Sequence, residues 1–94
     1  MENKSDELKV LILESDNVKM QTLENVKIIR IKDKKYNLLI MKDYWPVIGE
    51  IDGIIRIEAD KEYLFSDIKG FYSLSHNIFH LIIKQKGVEN DKNN

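Results

Sequence analysis

The stretch from Tyr36 to Gly53, YNLLIMKDYWPVIGEIDG, constrains the fold of this chain most strongly. It holds the only proline and the only tryptophan of the sequence, side by side as Trp45 and Pro46. Pro46 removes a backbone donor and pushes the residue before it towards an extended or turn conformation, so no helix runs through the pair. The apolar run Leu38–Met41 precedes the pair and is typical of a buried strand. We therefore predict a strand, a loop and a second strand here, closed by a turn at Asp52-Gly53.

Apolar and polar residues alternate along most of the remaining chain, a pattern that predicts strands and not helices. Leu8–Leu13 is the first predicted strand, and Arg30 and Arg56 lie on the wetter faces of two later strands. We predict connections between strands at the turn-forming pairs Glu24-Asn25 and Lys69-Gly70. Together these signals favour an all-β fold, a small antiparallel β-sandwich of about eight to ten short strands.

The length of the chain favours a single domain. With 94 residues and 43% hydrophobic content, it is large enough for one core. Polar ends flank this core, so we expect a flexible N-terminus at 1–7, the sandwich at 8–84 and a disordered tail at 85–94. Within the sandwich, further turns are predicted at 33–35, 59–61 and 75–77.

Composition narrows the classes of function. A net charge of -1 supplies no general attraction to nucleic acid or anionic lipid, so we expect no nucleic-acid partner. The lack of cysteine excludes disulfides and thiolate catalysis. The apolar runs are far shorter than the roughly 20 residues of a membrane helix, and 1–7 has no apolar signal segment, so we expect no membrane insertion. The sequence shows no Ser-His-Asp spacing and no glycine-rich phosphate loop, so we expect no enzyme and no cofactor.

Three segments carry a resemblance to a known family: LKVLIL, LLIMKDYWPVIGEIDGIIRI and IKGFYSLSHNIFHLII. In order and spacing they resemble the amino-terminal β-sandwich of the epsilon subunit of F-type ATP synthases, which is called delta in mitochondria. That family has a strand opening like LKVxI, then GxLGILPxHAPLI. This motif is followed by a Gly before a short strand ending in RI, by GGF, by an Asn turn and by a last apolar strand.

The resemblance covers most of the chain and rests on individual positions. The matching positions, in family order, are Ile40-Met41 for IL, Tyr44-Trp45-Pro46 for His-Ala-Pro, Val47-Ile48 for LI, Gly53 before Arg56-Ile57, Gly70-Phe71 for the end of GGF, and Asn77 for the turn. Leu39, Lys42 and Lys69 stand where the family has Gly, Pro and Gly. The replacement of His-Ala by two large aromatic residues predicts an unusual partner surface at this loop.

The resemblance implies a non-catalytic central-stalk subunit of an F-type or F-like rotary ATPase, present once per complex. Such a subunit links the gamma subunit to the c ring and is peripheral, on the cytoplasmic side of the membrane. Most bacterial members continue into an inhibitory C-terminal helical hairpin, and we expect a short form without it. The implied contacts are, towards gamma, Tyr44, Trp45, Pro46 and Ile48, and towards the c ring, Lys35, Tyr36 and Asn37.

Other interpretations stay open. A free-standing β-sandwich adaptor with an epsilon-like fold would bind other proteins, and a small ligand-binding or nucleic-acid-binding barrel would show salt-sensitive binding by the isolated domain. Trp45 has a second interpretation as a lid over one end of the core. His76 and His80 have no third ligand nearby in the sequence, so we expect turn or surface histidines and no metal.

Overall fold

A computed structural model describes residues 7–16 and 18–86 of the chain. The strands are β1 (Leu8–Glu14), β2 (Lys19–Val26), β3 (Ile28–Asp33), β4 (Asn37–Ile40), β5 (Val47–Glu58), β6 (Glu62–Ser75) and β7 (Ile78–Lys86). No helix occurs in this part of the chain, and the all-β prediction is confirmed. The predicted turn at 59–61 lies between β5 and β6. The predicted turns at 33–35 and 75–77 begin on the last residue of β3 and of β6 and continue into the connection to the next strand.

The strands form one sheet in the order β2-β1-β7-β6-β5-β3-β4. All neighbours are antiparallel except β1 and β7, which pair in parallel, so the sheet is mixed where the sequence predicted a purely antiparallel one. The described residues form seven strands, fewer than predicted, because two of these strands are long. β5 has 12 residues and β6 has 14, and each contains a site where a break was predicted.

The predicted turn at Asp52-Gly53 and the predicted break at Lys69-Gly70 are wrong. Both glycines lie inside continuous strands, next to shifts in the pairing register that mark bulges. A Cβ on Gly53 would lie 2.2 Å from the carbonyl oxygen of Lys32, and one on Gly70 would lie 1.9 Å from that of Ile82. These glycines are therefore required for the close approach of a neighbouring strand and not for a turn.

The predicted connection at Glu24-Asn25 is also wrong, since β2 runs through it. Asn25 has a left-handed backbone conformation with φ 57°. The pairing of β1 with β2 shifts between Leu8 and Val10 at this level, which indicates a bulge. Asparagine tolerates this conformation better than most residues. Asn25 therefore does mark an irregular backbone, but the irregularity is a bulge within β2 and not a turn.

The core consists of apolar side chains on one face of the sheet, here called the inner face. Its buried members are Leu8, Val10, Ile12, Leu23, Val26, Ile29, Ile31, Ile40, Ile51, Ile55, Ile57, Ile68, Tyr72, Leu74, Phe79, Leu81 and Ile83. They form one cluster to which every strand contributes. Since no helix covers this cluster in the described residues, the sheet itself must fold over its inner face, in a sandwich-like arrangement.

A bulge lets β6 contribute to the core along its whole length. Tyr63 and Phe65 pack against the core near the start of β6, whereas Ile68 and Tyr72 are buried further along. Between them Asp67 has φ 61°, and the pairing with β5 shifts. Because a bulge changes which alternate side chains face inward, both parts of this strand face the core.

The predicted flexible ends lie mostly outside the described residues. Glu7 is described and forms an ion pair with Lys27, with 3.7 Å between its Oε2 and the lysine Nζ. β7 extends to Lys86, so Gln85 and Lys86 belong to a strand although they fall in the predicted tail.

Candidate functional site

The loop between β4 and β5 carries Trp45 and is joined to the turn between β6 and β7. Asp43, with φ 67°, donates its backbone N–H to Oδ1 of Asn77 at 2.5 Å. In return, Nδ2 of Asn77 donates to Oδ1 of Asp43 at 3.1 Å. Asn77 itself has φ 65°, a conformation that asparagine tolerates. The two reciprocal hydrogen bonds fix the base of the loop on the rest of the sheet.

The aromatic residues of this loop have different environments. Tyr44 is half-buried and packs against the core, whereas Trp45 is 81% exposed. The interpretation of Trp45 as a lid over the core is therefore wrong. A surface cleft of about 340 Å³ at this loop is lined by Asp43, Tyr44, Trp45, Pro46, His76 and Asn77. Ile48, also predicted on the gamma side, does not line the cleft and is 84% exposed on β5.

The residues predicted to face the c ring lie on the hairpin between β3 and β4, at the other end of β4 from the Trp45 loop. Asp33 organises this hairpin, because its Oδ2 accepts the backbone N–H of Lys35 at 2.9 Å and its Oδ1 accepts that of Asp52 at 2.7 Å. Lys35 and Asn37 are exposed. The seven predicted contact residues thus form separate groups, one at each end of β4 and Ile48 on β5.

Tyr36 connects the hairpin to the neighbouring strands. Its hydroxyl donates to the carbonyl oxygen of Glu50 at 2.5 Å and lies 2.7 Å from the hydroxyl of Tyr72. The ring of Tyr72 fits over Gly49, where a Cβ would lie 2.5 Å from the tyrosine Oη. Burial raises the pKa of Tyr72 above its usual value, and the hydrogen bond to Tyr36 raises it further. The hydrogen bonds of this pair join the β3–β4 hairpin to β5 and β6.

The histidines do not form part of a metal site in the described residues. His76 lies in the turn between β6 and β7 with φ 52°, and its Nδ1 is 2.9 Å from the hydroxyl of Ser75. His80 is exposed on β7. In this part of the chain no group of three or more histidine, aspartate or glutamate side chains could hold a metal ion.

The outer face of the sheet carries an apolar surface that was not predicted from the sequence. Its members, which we call the apolar outer surface, are Leu11, Leu13, Met20, Ile48, Phe71, Ile78 and Ile82. Four of them are direct cross-strand neighbours, because Leu13 pairs with both Met20 and Ile82, and Ile82 pairs with Phe71. The available signal was the pairs of successive apolar residues in LKVLIL and IFHLII, which put apolar side chains on both faces of a strand.

A second surface on the outer face is charged. Its members, which we call the charged outer surface, are Arg30, Lys32, Arg56, Glu58 and Glu62. The sequence predicted the outward orientation of Arg30 and Arg56 but not that the two would face each other across β3 and β5.

No protein-family model matches this chain, and no curated protein matches it in sequence. Among the described residues, no helix is both long and apolar enough to cross a membrane.

Proposed function

We propose that this protein is a non-catalytic central-stalk subunit of an F-type or F-like rotary ATPase, which links the gamma subunit to the c ring. Two features support the proposal: the resemblance of three segments to the epsilon family, and the all-β fold. The subunit acts as a peripheral part of the complex on the cytoplasmic side of the membrane, needs no cofactor and is present in one copy.

The observation that carries the proposal is the exposure of Trp45 on a loop whose base is fixed. An indole that is 81% exposed contributes little to its own core, and burying it against a partner removes a large apolar area from water. Aromatic anchors of this kind often dominate interface energies. The hydrogen bonds between Asp43 and Asn77 reduce the conformational freedom that the loop would lose on binding.

Rigidity is the second requirement for a part that transmits torque. The hairpin that carries Lys35 and Tyr36 is held to β5 by the hydrogen bonds of Asp33 with Asp52 and of Tyr36 with Glu50. A sheet with paired strands around a close-packed core resists shear. One detail departs from the family pattern, since Gly53 lies inside a long strand and not before a short one.

The test is a pull-down of the protein from its native source, through a tag placed after Asn94, with mass spectrometry of the bound proteins. We expect gamma, alpha and beta subunits of an ATPase. In the Trp45→Ala variant we expect weaker recovery of gamma and an unchanged melting curve. Leu64→Ala is the matched control, because Leu64 is also an exposed apolar residue but lies far along β6 from the loop. Recovery of the protein alone, or only with unrelated proteins, would refute the rotor assignment.

The apolar outer surface favours a second candidate, a free-standing adaptor that binds other proteins. Large exposed apolar patches on soluble domains often mark interaction sites. This candidate predicts partners from outside the ATPase in the same pull-down, and recovery that depends on Phe71 and Ile82 instead of Trp45.

A further inference from the structure

A groove of about 480 Å³ runs across the outer face of β4, β3 and β5, away from the Trp45 loop. Its main lining residues are Arg30, Lys32, Asn37, Leu39, Ile54 and Arg56. The groove thus combines three cations and an amide with aliphatic side chains. Only Asn37 belongs to the contact residues discussed above, so the proposed rotor function does not account for this site.

The arrangement of the two arginines in the groove is unfavourable for the stability of the isolated domain. Arg30 and Arg56 lie directly opposite each other in the pairing of β3 with β5, and like charges in that position are destabilising. Each arginine is paired through its Nε at 3.0 Å, Arg30 with Glu58 and Arg56 with Glu62. In the described residues no hydrogen bond occupies their remaining guanidinium donors, and Lys32 has no ion pair there. These groups are available to carboxylates of a partner.

The groove borders an open edge of the sheet. β4 is the last strand, and within the described residues no strand pairs with its outer edge. The backbone N–H of Asp33 donates to the carbonyl oxygen of Tyr36 at 2.8 Å, which identifies this pair as hydrogen-bonded. Because such pairs alternate in an antiparallel ladder, the backbone groups of Asn37 and Leu39 point away from β3. The same two residues therefore offer both free backbone groups and side chains that line the groove.

We propose that β4 and this groove bind an extended, acidic segment of a partner protein. The segment adds to the sheet as a strand beside β4, hydrogen-bonded to Asn37 and Leu39, and places carboxylates within reach of Arg30, Lys32 and Arg56. Charge complementarity selects an acidic partner. The open backbone edge selects a polypeptide, because only a peptide can continue the ladder of hydrogen bonds. This site goes beyond the proposed rotor function and stands or fails independently of it.

The test uses the purified full-length chain and fluorescence anisotropy. The probe is a short fluorescein-labelled peptide of alternating glutamate and valine, and its matched control has glutamine in place of glutamate. We expect the acidic peptide to bind and its affinity to fall as the salt concentration rises, since the cations are exposed. A version of the acidic peptide with alternate backbone amides methylated, so that it cannot pair with β4, should bind roughly tenfold more weakly.

Variants of the protein test the groove and the edge separately. Arg30→Gln combined with Arg56→Gln should weaken binding by about tenfold or more, because charge-assisted hydrogen bonds are lost. Leu39→Pro removes an outward N–H and should weaken binding while leaving the pairing with β3 intact. Lys69→Gln removes an exposed cation from another part of the sheet and should change the affinity less than about twofold. Melting curves confirm that each variant is folded.

Several outcomes would overturn the proposal. The acidic and neutral peptides could bind equally well, or the methylated peptide could bind with full affinity. The double variant Arg30→Gln with Arg56→Gln could also bind the acidic peptide as tightly as Lys69→Gln does. Tighter binding of a single-stranded oligonucleotide or of inorganic phosphate would assign the cations to another ligand. If a variant does not fold, the methylated peptide and the salt dependence on the natural protein decide the question.

Discussion

The apolar and charged outer surfaces lie on the same face of one sheet but have opposite chemistry. On the apolar outer surface, cross-strand neighbours are pairs such as Phe71 with Ile82. On the charged outer surface, the corresponding neighbours are Arg30 and Arg56. The inner face shows no such division, since its buried apolar residues form one cluster.

The difference between the inner and outer faces separates the residues that folding requires from those that it does not. A continuous inner face is what the hydrophobic effect requires for a stable sheet. Folding requires neither exposed Phe71 and Ile82 nor two arginines side by side, and both arrangements are unfavourable in an isolated domain. We therefore propose a partner for each outer surface, apolar for one and acidic for the other.

Alanine at the two bulge glycines should have the largest effect and tests whether the two parts of the sheet unfold together. Gly70 lies where β6 meets β7, near the apolar outer surface, and Gly53 lies where β5 meets β3, near the charged one. We expect Gly70→Ala and Gly53→Ala each to lower the free energy of unfolding by roughly 3 kcal/mol, because backbone atoms must move. Denaturant titrations should show one cooperative transition for both variants. Ser73→Ala, on the outer side of β6, is the control. Two separate transitions would show that the parts are independent units.

Tyr72→Phe should have a smaller effect and tests the link between the two parts. Tyr72 on β6 and Tyr36 on the β3–β4 hairpin share a hydrogen bond, so the variant should lose about 1 kcal/mol at neutral pH. The pKa of Tyr72 is raised by burial, so the stability that its neutral phenol contributes is present below about pH 10, the unfolded value, and is lost as the pH rises above it. The free energy of unfolding, measured from neutral to alkaline pH, should therefore decline less steeply for Tyr72→Phe than for the natural protein. Identical slopes for the natural protein and for Tyr72→Phe would contradict the assignment.

The fold was predictable from the sequence where local chemistry decides the outcome. Pro46 excludes a helix, and the short β-prone segments LKVLIL and IIRI mark strands that the structure contains. Asp52-Gly53 was misleading because a glycine permits either a turn or a close approach between strands, and the distant Lys32 decides between them. The parallel pairing of β1 with β7 joins opposite ends of the chain, and no local pattern reports it.

The candidate surfaces were predictable to a smaller extent. The Trp45 loop was predictable because the only tryptophan stands beside the only proline. The hydrogen bonds that fix the base of this loop were not, because they join Asp43 to Asn77, which is distant in the chain. The groove was missed because its cations come from β3 and β5, which are separated in the chain by β4. The outward orientation of Arg30 and Arg56 follows from the alternation of side chains along each strand. Their position opposite each other follows from the pairing register of β3 with β5.

Removing the acids of the charged outer surface should have a modest effect that depends on salt. Glu58→Gln combined with Glu62→Gln leaves Arg30 and Arg56 opposite each other without their partners. We expect a loss of about 1 kcal/mol in the free energy of unfolding at low salt and a smaller loss at high salt, because exposed charges are screened. Thermal melts at both salt concentrations measure this. The same loss at both salt concentrations would mean that the acids act through packing instead of charge.

Ile48→Thr should have the smallest effect on stability and tests the apolar outer surface. Ile48 is 84% exposed, and threonine keeps the β-branched shape, so we expect a change within about 0.5 kcal/mol that does not depend on salt. Binding of a hydrophobic dye should fall, because the exposed apolar area is smaller. The matched variant Ile51→Thr changes a buried residue of the same strand and should destabilise strongly. A large loss of stability in Ile48→Thr would show that the apolar outer surface is needed for folding, and its exposure would then no longer argue for a partner.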